Sequence, residues 1–147
     1  MKILHTSDWH LGKKLEGYSR IEEQEKFLEE LKEICNREEI QVILIAGDVY
    51  DSSNPPVEAE KLYFKAIKDL SNNGDRLIIV IAGNHDNPEK LLASTPFSSE
   101  YGIITFGKPL EVKELGKYGK WEVIESFEGG ILIKKGETLR IVLYNNS

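Results

Sequence analysis

Cysteine is almost absent from this 147-residue sequence, since Cys35 is the only one. A single thiol excludes an internal disulfide, and it also excludes a zinc site built from several cysteines of this chain. Long apolar runs are absent as well, so the sequence predicts neither a membrane span nor a signal peptide. We therefore expect a soluble, cytoplasmic protein in which any metal ion binds through histidine and oxygen ligands.

Positive charge is also in short supply. The sequence has 19 basic and 25 acidic residues, which gives a formal net charge of -6. This balance argues against a broad surface for polyanions, because nucleic-acid binding proteins usually carry basic faces. Two divalent cations would add about four positive charges at a local site, so the net charge does not exclude a phosphate-containing substrate there.

The first part of the sequence alternates between short apolar runs and amphipathic stretches. Each apolar run has the length of a buried strand, and the stretches between the runs have helical periodicity. Strands that are joined by helices pair in parallel, with right-handed crossovers. We therefore predict an α/β fold that begins with a parallel β-α-β-α-β unit. The three predicted strands are residues 2–6, 41–46 and 77–82.

Local signals predict where the helices begin and end. Ser19-Arg20-Ile21-Glu22 has the form of a capping box and predicts the start of the first helix. Pro55-Pro56 precedes a second helical pattern, and Asn73-Gly74 predicts its end. Asn87-Pro88 predicts a short third helix, with the asparagine as the N-cap and the proline in the first helical position.

After about residue 101 the pattern changes to short alternating segments, which we interpret as antiparallel strands. Lys135-Gly136-Glu137 predicts the turn of a hairpin between the last two of them. We find no repeat or linker, so residues 1–147 are expected to be part of one domain without an internal boundary. The predicted later strands are residues 102–106, 110–114, 121–127, 131–134 and 139–144.

Three polar motifs follow the three predicted parallel strands: Asp8-Trp9-His10, Gly47-Asp48 and Gly83-Asn84-His85-Asp86. Each motif alone is common, but parallel strands bring their carboxyl ends to one edge of a sheet. Carboxylates, an imidazole and an amide oxygen would then lie close together. Because close carboxylates repel each other unless cations neutralise them, the sequence predicts a metal site. Manganese, iron or zinc suits these ligands better than calcium.

The order of these motifs resembles the calcineurin-like metallophosphoesterase family. Within that family, residues 3–12 and 46–51 resemble the SbcD branch of bacterial DNA repair nucleases. The resemblance runs through the whole chain and is sharpest up to about residue 100. It implies a metallophosphoesterase-type sandwich and a metal-dependent exonuclease or endonuclease, which uses metal-activated water to cleave DNA during the processing of double-strand breaks and hairpins.

The resemblance also implies the ligands of two divalent metal ions, for which Mn²⁺ is the expected metal. Asp8 and His10 would bind one ion, and Asp48 would bridge both. Asn84 would bind the second ion through its amide oxygen. His5, in contrast, lies within the first strand, where a hydrogen-bonded core histidine is more common than a ligand.

The remaining site residues have catalytic or substrate-binding roles by the same resemblance. His85 would protonate the leaving oxygen or stabilise charge on the phosphate, and Asp86 would orient it. Trp9 between two ligands is predicted to pack in the core, although stacking on a base is the alternative. Basic side chains just after the first motif would contact a DNA backbone, although a solvated loop explains them equally well. The predicted substrate-binding residues are Asp51, Lys13, Lys14 and Arg20.

The sequence departs from the family in its histidine content, because it contains only three. Complete members supply further histidines from later strands, including a Gly-His-x-His motif, which this sequence lacks. We therefore expect a truncated domain with an incomplete metal site. The chain alone is expected to bind metal weakly and to cleave DNA poorly or not at all.

The resemblance implies three partners: DNA, an SbcC-type ATPase subunit, and a second copy of the chain. The homodimer would form through helices near residues 57–72 and 88–94, and no membrane is expected to be involved. Two alternatives stay open. The chain could belong to a phosphoesterase for small phosphodiesters, phosphomonoesters or phosphoproteins, or it could be a noncatalytic dimerisation fragment.

Overall fold

Three layers make up the fold: helices, a parallel sheet and an antiparallel sheet. The computed structural model describes residues 1–83, 86–93 and 98–142. In chain order, the strands are β1 (Ile3–Thr6), β2 (Lys14–Leu15), β3 (Tyr18–Ser19), β4 (Val42–Ala46), β5 (Leu77–Ile81), β6 (Ile103–Phe106), β7 (Gly116–Tyr118), β8 (Trp121–Phe127), β9 (Gly130–Lys135) and β10 (Glu137–Val142). The helices are α1 (Ile21–Arg37), α2 (Val57–Ser71), α3 (Pro88–Ala93) and α4 (Ser98–Tyr101).

The parallel sheet has the strand order β1-β4-β5-β6. This order confirms the predicted parallel β-α-β-α-β unit and adds a fourth strand to it. β4 and β5 are almost entirely buried, which explains their continuous apolar sequence. β1 is different, because it lies at an edge of this sheet and alternates between exposed and half-buried residues. The prediction of a core histidine was therefore wrong, since His5 is exposed.

Two apolar cores lie on opposite faces of the parallel sheet. Successive side chains of a strand point to opposite faces, so β4 and β5 contribute to both cores. On one face, residues such as Ile43 and Ile78 join the core that contains the buried side chains of α1 and α2. On the other face, Val42 and Leu77 join a core that includes Trp121 of the antiparallel sheet. Burial on both sides makes the parallel sheet the rigid centre of the fold.

The antiparallel sheet has the strand order β10-β9-β8-β7. The predicted hairpin turn between its last two strands is confirmed, because Lys135 pairs with Glu137 around Gly136, whose φ is 79°. Two side chains of this sheet reach the amino end of β5. The indole Nε1 of Trp121 and the ammonium of Lys135 donate to the Asp75 carbonyl oxygen, over 3.0 and 2.8 Å.

Two of the later strand predictions were wrong. Residues 102–106 were expected to be antiparallel, but β6 pairs in parallel with β5. All four residues of β6 are buried, which is the pattern of a strand covered on both faces. Residues 110–114 form no strand, since Leu110 has a φ of 60° and both Leu110 and Val112 are exposed. The strand in this region begins later, at Gly116.

The predicted capping box at the start of α1 was also wrong. Ser19 belongs to β3, and the N-cap position is occupied by Arg20, which makes no side-chain capping bond. The Ser19 hydroxyl accepts a bond of 3.3 Å from the Ile21 backbone N–H instead. The Arg20 guanidinium pairs with Glu23 one turn into the helix.

The other helix signals agree with the structure more closely. α2 follows Pro56 and ends at Ser71, and its C-cap Asn72 has a left-handed backbone, one residue before the predicted Asn73-Gly74 stop. Asn87 caps α3 as predicted, because its side-chain oxygen accepts a bond of 3.1 Å from the Glu89 N–H. Within the described ranges, no helix is both long enough and apolar enough to cross a bilayer.

Candidate metal centre

The loops that follow β1 and β4 pair with each other beyond the ends of their strands. The Asp8 N–H donates to the Gly47 carbonyl over 3.1 Å, and the His10 N–H donates to the Asp48 carbonyl over 3.0 Å. The ladder continues to an isolated parallel bridge between Leu11 and Tyr50. The two motifs therefore share one backbone framework at the carboxyl edge of the parallel sheet.

Three polar side chains from these loops converge. Asp8, His10 and Asp48 each offer one potential ligand atom, and these atoms lie within 4.8 Å of one another. All three residues have left-handed backbones, with φ values of 58°, 47° and 52°. Such conformations are uncommon for residues other than glycine and tend to mark functional sites. The inter-loop hydrogen bonds fix these backbones in place.

The residues of this cluster fit a divalent cation. The Oδ1 atom of Asp48 is buried and has no hydrogen-bond partner within the part of the chain that the structure describes. A buried carboxylate oxygen without a donor is costly unless a cation neutralises it. Asp8 is exposed, so the cluster opens to solvent on one side. Two carboxylates and an imidazole suit transition-metal ions.

Two glycines allow the loops after β4 and β5 to touch. A Cβ atom on Gly83 would lie 2.9 Å from the backbone nitrogen of Asp48. A Cβ atom on Gly47 would lie 3.1 Å from the Gly83 Cα, and Gly47 also has a φ of 83°. The close approach of these two backbones therefore requires glycine at both positions.

Asp86 fixes the loop that carries Asp48. Its Oδ2 atom accepts bonds of 2.7 Å from the N–H groups of both Asp48 and Gly83, and its Oδ1 atom accepts a bond of 3.1 Å from Val49. Burial raises the pKa of Asp86, and the backbone N–H donors oppose that rise. Both carboxylate oxygens are thus engaged by the backbone. The predicted partner, His85, and the predicted ligand Asn84 lie outside the described residues.

The imidazole of His10 lies between two carboxylates. Its Nε2 atom is 3.6 Å from Asp8 Oδ1, and its Nδ1 atom is 3.5 Å from Asp51 Oδ1. Histidines that bind a metal with one ring nitrogen commonly turn the other towards a carboxylate. Asp51, predicted as a substrate contact, is thus placed beside a ring nitrogen of His10.

The basic residues near the first motif differ in their surroundings. Lys13 and Lys14 are exposed beside the His10 loop. Arg20 is different, because Glu23 accepts bonds of 2.9 and 2.7 Å from its Nε and Nη2 atoms. Trp9 is only 6% exposed and packs edge-on against Tyr63, which confirms that it is a core residue.

Gln24 was missed by the sequence analysis. Its side-chain Nε2 donates to the His10 carbonyl oxygen over 3.0 Å, and its Oε1 accepts from the Gly12 N–H over 3.1 Å. No sequence signal points to it, because a single amide in an acidic helix looks like any other surface residue.

The family follows from comparison with known proteins. The family model for calcineurin-like phosphoesterases matches residues 1–146. The chain belongs to the calcineurin-like phosphoesterase family. Membership confirms the predicted resemblance and the α/β metallophosphoesterase fold, and it implies divalent metal ions, for which Asp8, His10 and Asp48 form the described group.

Several relatives of this phosphoesterase chain are named as a subunit of the nuclease SbcCD. The chain is 52% identical to the one from Bacillus subtilis over 109 residues, which cover 74% of this chain and 28% of that protein. It is 42% identical to the Rhodobacter capsulatus protein over 108 residues, covering 73% and 27%. It is 44% identical to the Escherichia coli K12 protein over 87 residues, covering 59% and 22%. The chain spans less than a third of the length of these relatives.

Proposed function

We propose that this chain supplies part of the metal centre of a nuclease that hydrolyses phosphodiester bonds in DNA. The observation that carries the proposal is the convergence of Asp8, His10 and Asp48 at one sheet edge, with an unpartnered buried oxygen on Asp48 among the described residues. Phosphoesterase membership supports hydrolysis at phosphorus. The relatives named as nucleases support a nucleic-acid substrate. DNA as that substrate, and a role in its repair, are proposed from the resemblance of the motifs to the SbcD branch.

The proposed roles follow the chemistry of the donors. Asp8 and His10 would hold one ion, Asp48 would be shared with a second, and Asn84 would be a ligand of that second ion, with Mn²⁺ as the metal. Bound divalent cations neutralise phosphate charge and lower the pKa of water. His85 donates a proton to the leaving oxygen. Both roles in the Gly-Asn-His-Asp segment rest on the motif and the family alone.

The surroundings of the cluster fit a phosphate backbone. Lys13 and Lys14 are exposed beside the His10 loop and are proposed to contact phosphates. The Arg20 guanidinium would first have to break its ion pair with Glu23. Its contribution to DNA binding is therefore proposed to be smaller than that of Lys13 or Lys14. Asp51 lies beside the His10 ring, which supports an orienting role for it more than a contact to substrate.

The metal site is tested with Asp48→Ala, and Asp69→Ala serves as the matched control on an exposed carboxylate of α2. We expect Asp48→Ala to weaken Mn²⁺ binding by about 100-fold in isothermal titration calorimetry, because a buried anionic donor is lost. The control should bind like the wild type. Unchanged Mn²⁺ affinity in a folded Asp48→Ala protein would contradict the proposed ligand set.

The substrate is tested in the same preparations with a labelled DNA duplex and an aryl phosphodiester. Mn²⁺-dependent DNA cleavage that disappears in Asp48→Ala supports the nuclease. Cleavage of the small ester, with none of DNA, would replace it with the second candidate, a phosphoesterase for another substrate. Mn²⁺ binding without hydrolysis of either compound would count against catalysis by this chain alone.

We also propose that the chain joins an SbcC-type partner, because its relatives are named as a subunit of SbcCD. The homodimer is proposed from the family resemblance. The dimer would use α2 and α3. Leu62 and Leu91 are buried within the chain and cannot make such a contact, whereas Val57 is 59% and Leu92 is 49% exposed. A dimer in analytical ultracentrifugation that is lost in Val57→Glu or Leu92→Glu would support these helices. A dimer that persists in both variants would exclude them.

A further inference from the structure

The first turn of α1 contacts the loop that carries His10. Gln24 is half-buried there, and its amide spans the loop. It donates to the His10 carbonyl oxygen and accepts from the Gly12 N–H, over 3.0 and 3.1 Å. One planar side chain therefore satisfies a backbone acceptor and a backbone donor on either side of Leu11.

This contact requires both functions of an amide. The His10 carbonyl also accepts a bond of 3.1 Å from the Lys13 N–H, so the loop is already turned back on itself. Gln24 adds a bond from a separate helix and fixes the turn relative to α1. A carboxylate could replace only the acceptor, and an ammonium could replace only the donor.

The segment that Gln24 binds has an unfavourable backbone. His10 has a φ of 47° and Gly12 has a φ of 90°. On its other side, Gly12 lies so close to Pro56 that an added Cβ would be 3.1 Å from the proline Cδ. A left-handed histidine persists only where its surroundings over-determine it. The hydrogen bonds to the loop after β4 hold one side of this segment, and the Gln24 amide holds the other. Without the amide, the His10 carbonyl and the Gly12 N–H lose this support and the imidazole can shift.

We propose that Gln24 is a positioning residue for the metal centre: it fixes the backbone of His10 so that the imidazole meets Asp8 and Asp48 at metal-binding separation. The inference rests on the proposed function, because it assumes that these three side chains bind a metal. Outer residues that orient metal ligands typically change metal affinity by 10–100-fold when they are replaced. Gln24 differs from most such residues because it hydrogen-bonds the main chain of His10 and not its imidazole ring.

The test is Gln24→Met in the 147-residue chain, since methionine has nearly the same length and neither a strong donor nor a strong acceptor. Glu25→Met is the matched control, because it makes a similar change at the exposed neighbouring position. Mn²⁺ affinity is measured by titration calorimetry. Hydrogen exchange of two backbone amides is followed by NMR in the absence of metal.

We expect Gln24→Met to bind Mn²⁺ about 10-fold more weakly than the wild type. The Gly12 amide should exchange faster, while the Leu11 amide, which donates to Val49 over 2.8 Å, keeps its protection. The Glu25→Met control should match the wild type in both measurements. A purely structural role in docking α1 would instead lower the protection of both amides together.

Two results would overturn the inference: Mn²⁺ affinity in Gln24→Met within about twofold of the wild type, or equal loss of protection at Gly12 and Leu11. A wild-type chain that binds no Mn²⁺ would overturn it together with the proposed metal site. A wild-type chain that binds Mn²⁺ tightly but leaves DNA intact would count against catalysis by this chain alone, and the role of Gln24 would stand.

Discussion

Two charged side chains at opposite ends of the parallel sheet differ in how fully the fold hydrogen-bonds them. At the amino end, the buried guanidinium of Arg76 donates to the carbonyl oxygens of Ile40 and Leu70, over 2.8 and 2.7 Å, and to the Asn36 side chain over 3.1 Å. At the carboxyl end, an oxygen of Asp48 is buried without a partner among the described residues. The fold satisfies the guanidinium of Arg76 at the amino end, whereas it leaves one oxygen of Asp48 at the carboxyl end available to a ligand.

The largest effect on stability is expected from removing the Arg76 guanidinium at the amino end of the parallel sheet. In Arg76→Met, three acceptors lose their donor, so we expect the free energy of unfolding to fall by about 3 kcal/mol. Mn²⁺ affinity of the folded protein should not change, because the metal loops lie at the other end of the sheet. Urea unfolding and calorimetry measure the two quantities, with Arg37→Met as the control at an exposed arginine of α1. Equal stability of both variants would mean that water satisfies these carbonyls.

A smaller effect is expected from Asp86, which accepts hydrogen bonds from backbone N–H groups at the metal edge. Asp86→Asn exchanges a carboxylate oxygen for an NH₂ group that faces backbone donors, so we expect a loss of about 2 kcal/mol in thermal unfolding. Mn²⁺ affinity should fall as well, since the Asp48 N–H loses its partner. Asp69→Asn, at an exposed carboxylate of α2, is the control, and it should change neither stability nor Mn²⁺ affinity appreciably. If Asp86→Asn loses stability but keeps its Mn²⁺ affinity, Asp86 supports the fold and not the metal centre.

The smallest effect concerns the pH dependence of stability that arises from Asp75, at the amino end of the parallel sheet. The hydrogen bond from Lys135 lowers the pKa of Asp75 below its ordinary value of 3.8, and partial burial opposes the shift. Because the folded pKa is the lower one, this carboxylate stabilises the fold above pH 3.8 and loses that contribution as the pH falls through the folded pKa. The side chain is 46% exposed, so the contribution should stay below about 1 kcal/mol.

Asp75→Asn should therefore reduce stability slightly at neutral pH and flatten its decline in acid. Chemical denaturation at several pH values, for the variant and the wild type, measures the difference. Parallel stability curves for the two proteins would show that Asp75 contributes no pH dependence.

Much of the fold could be predicted because its signals are local. β4 and β5 are apolar runs buried on both faces, and the motifs after them mark where they end. The failures concern long-range information. The exposure of β1 depends on its place at the sheet edge, and the direction of β6 depends on its partner β5. Residues 110–114 alternate like a strand, but no other strand pairs with them in the described structure.

The same distinction applies to the candidate site. Asp8, His10 and Asp48 could be placed together from the sequence, because each follows a strand of one parallel sheet. The contacts of Gln24 and Asp86 could not be predicted, since both bind backbone groups, which every residue type offers. The sequence thus predicts potential ligands, while their supports are visible only once loops and helices are in place.

The contact between Gly47 and Gly83 limits how this chain can be recombined with its relatives. A methyl group at either position would meet main-chain atoms of the other loop, which cannot rotate aside as a side chain does. A chimaera that took one of these loops from another phosphoesterase would therefore be compatible only with a donor that keeps the glycine. The two loops therefore form one structural unit, although Gly47 and Gly83 are far apart along the chain.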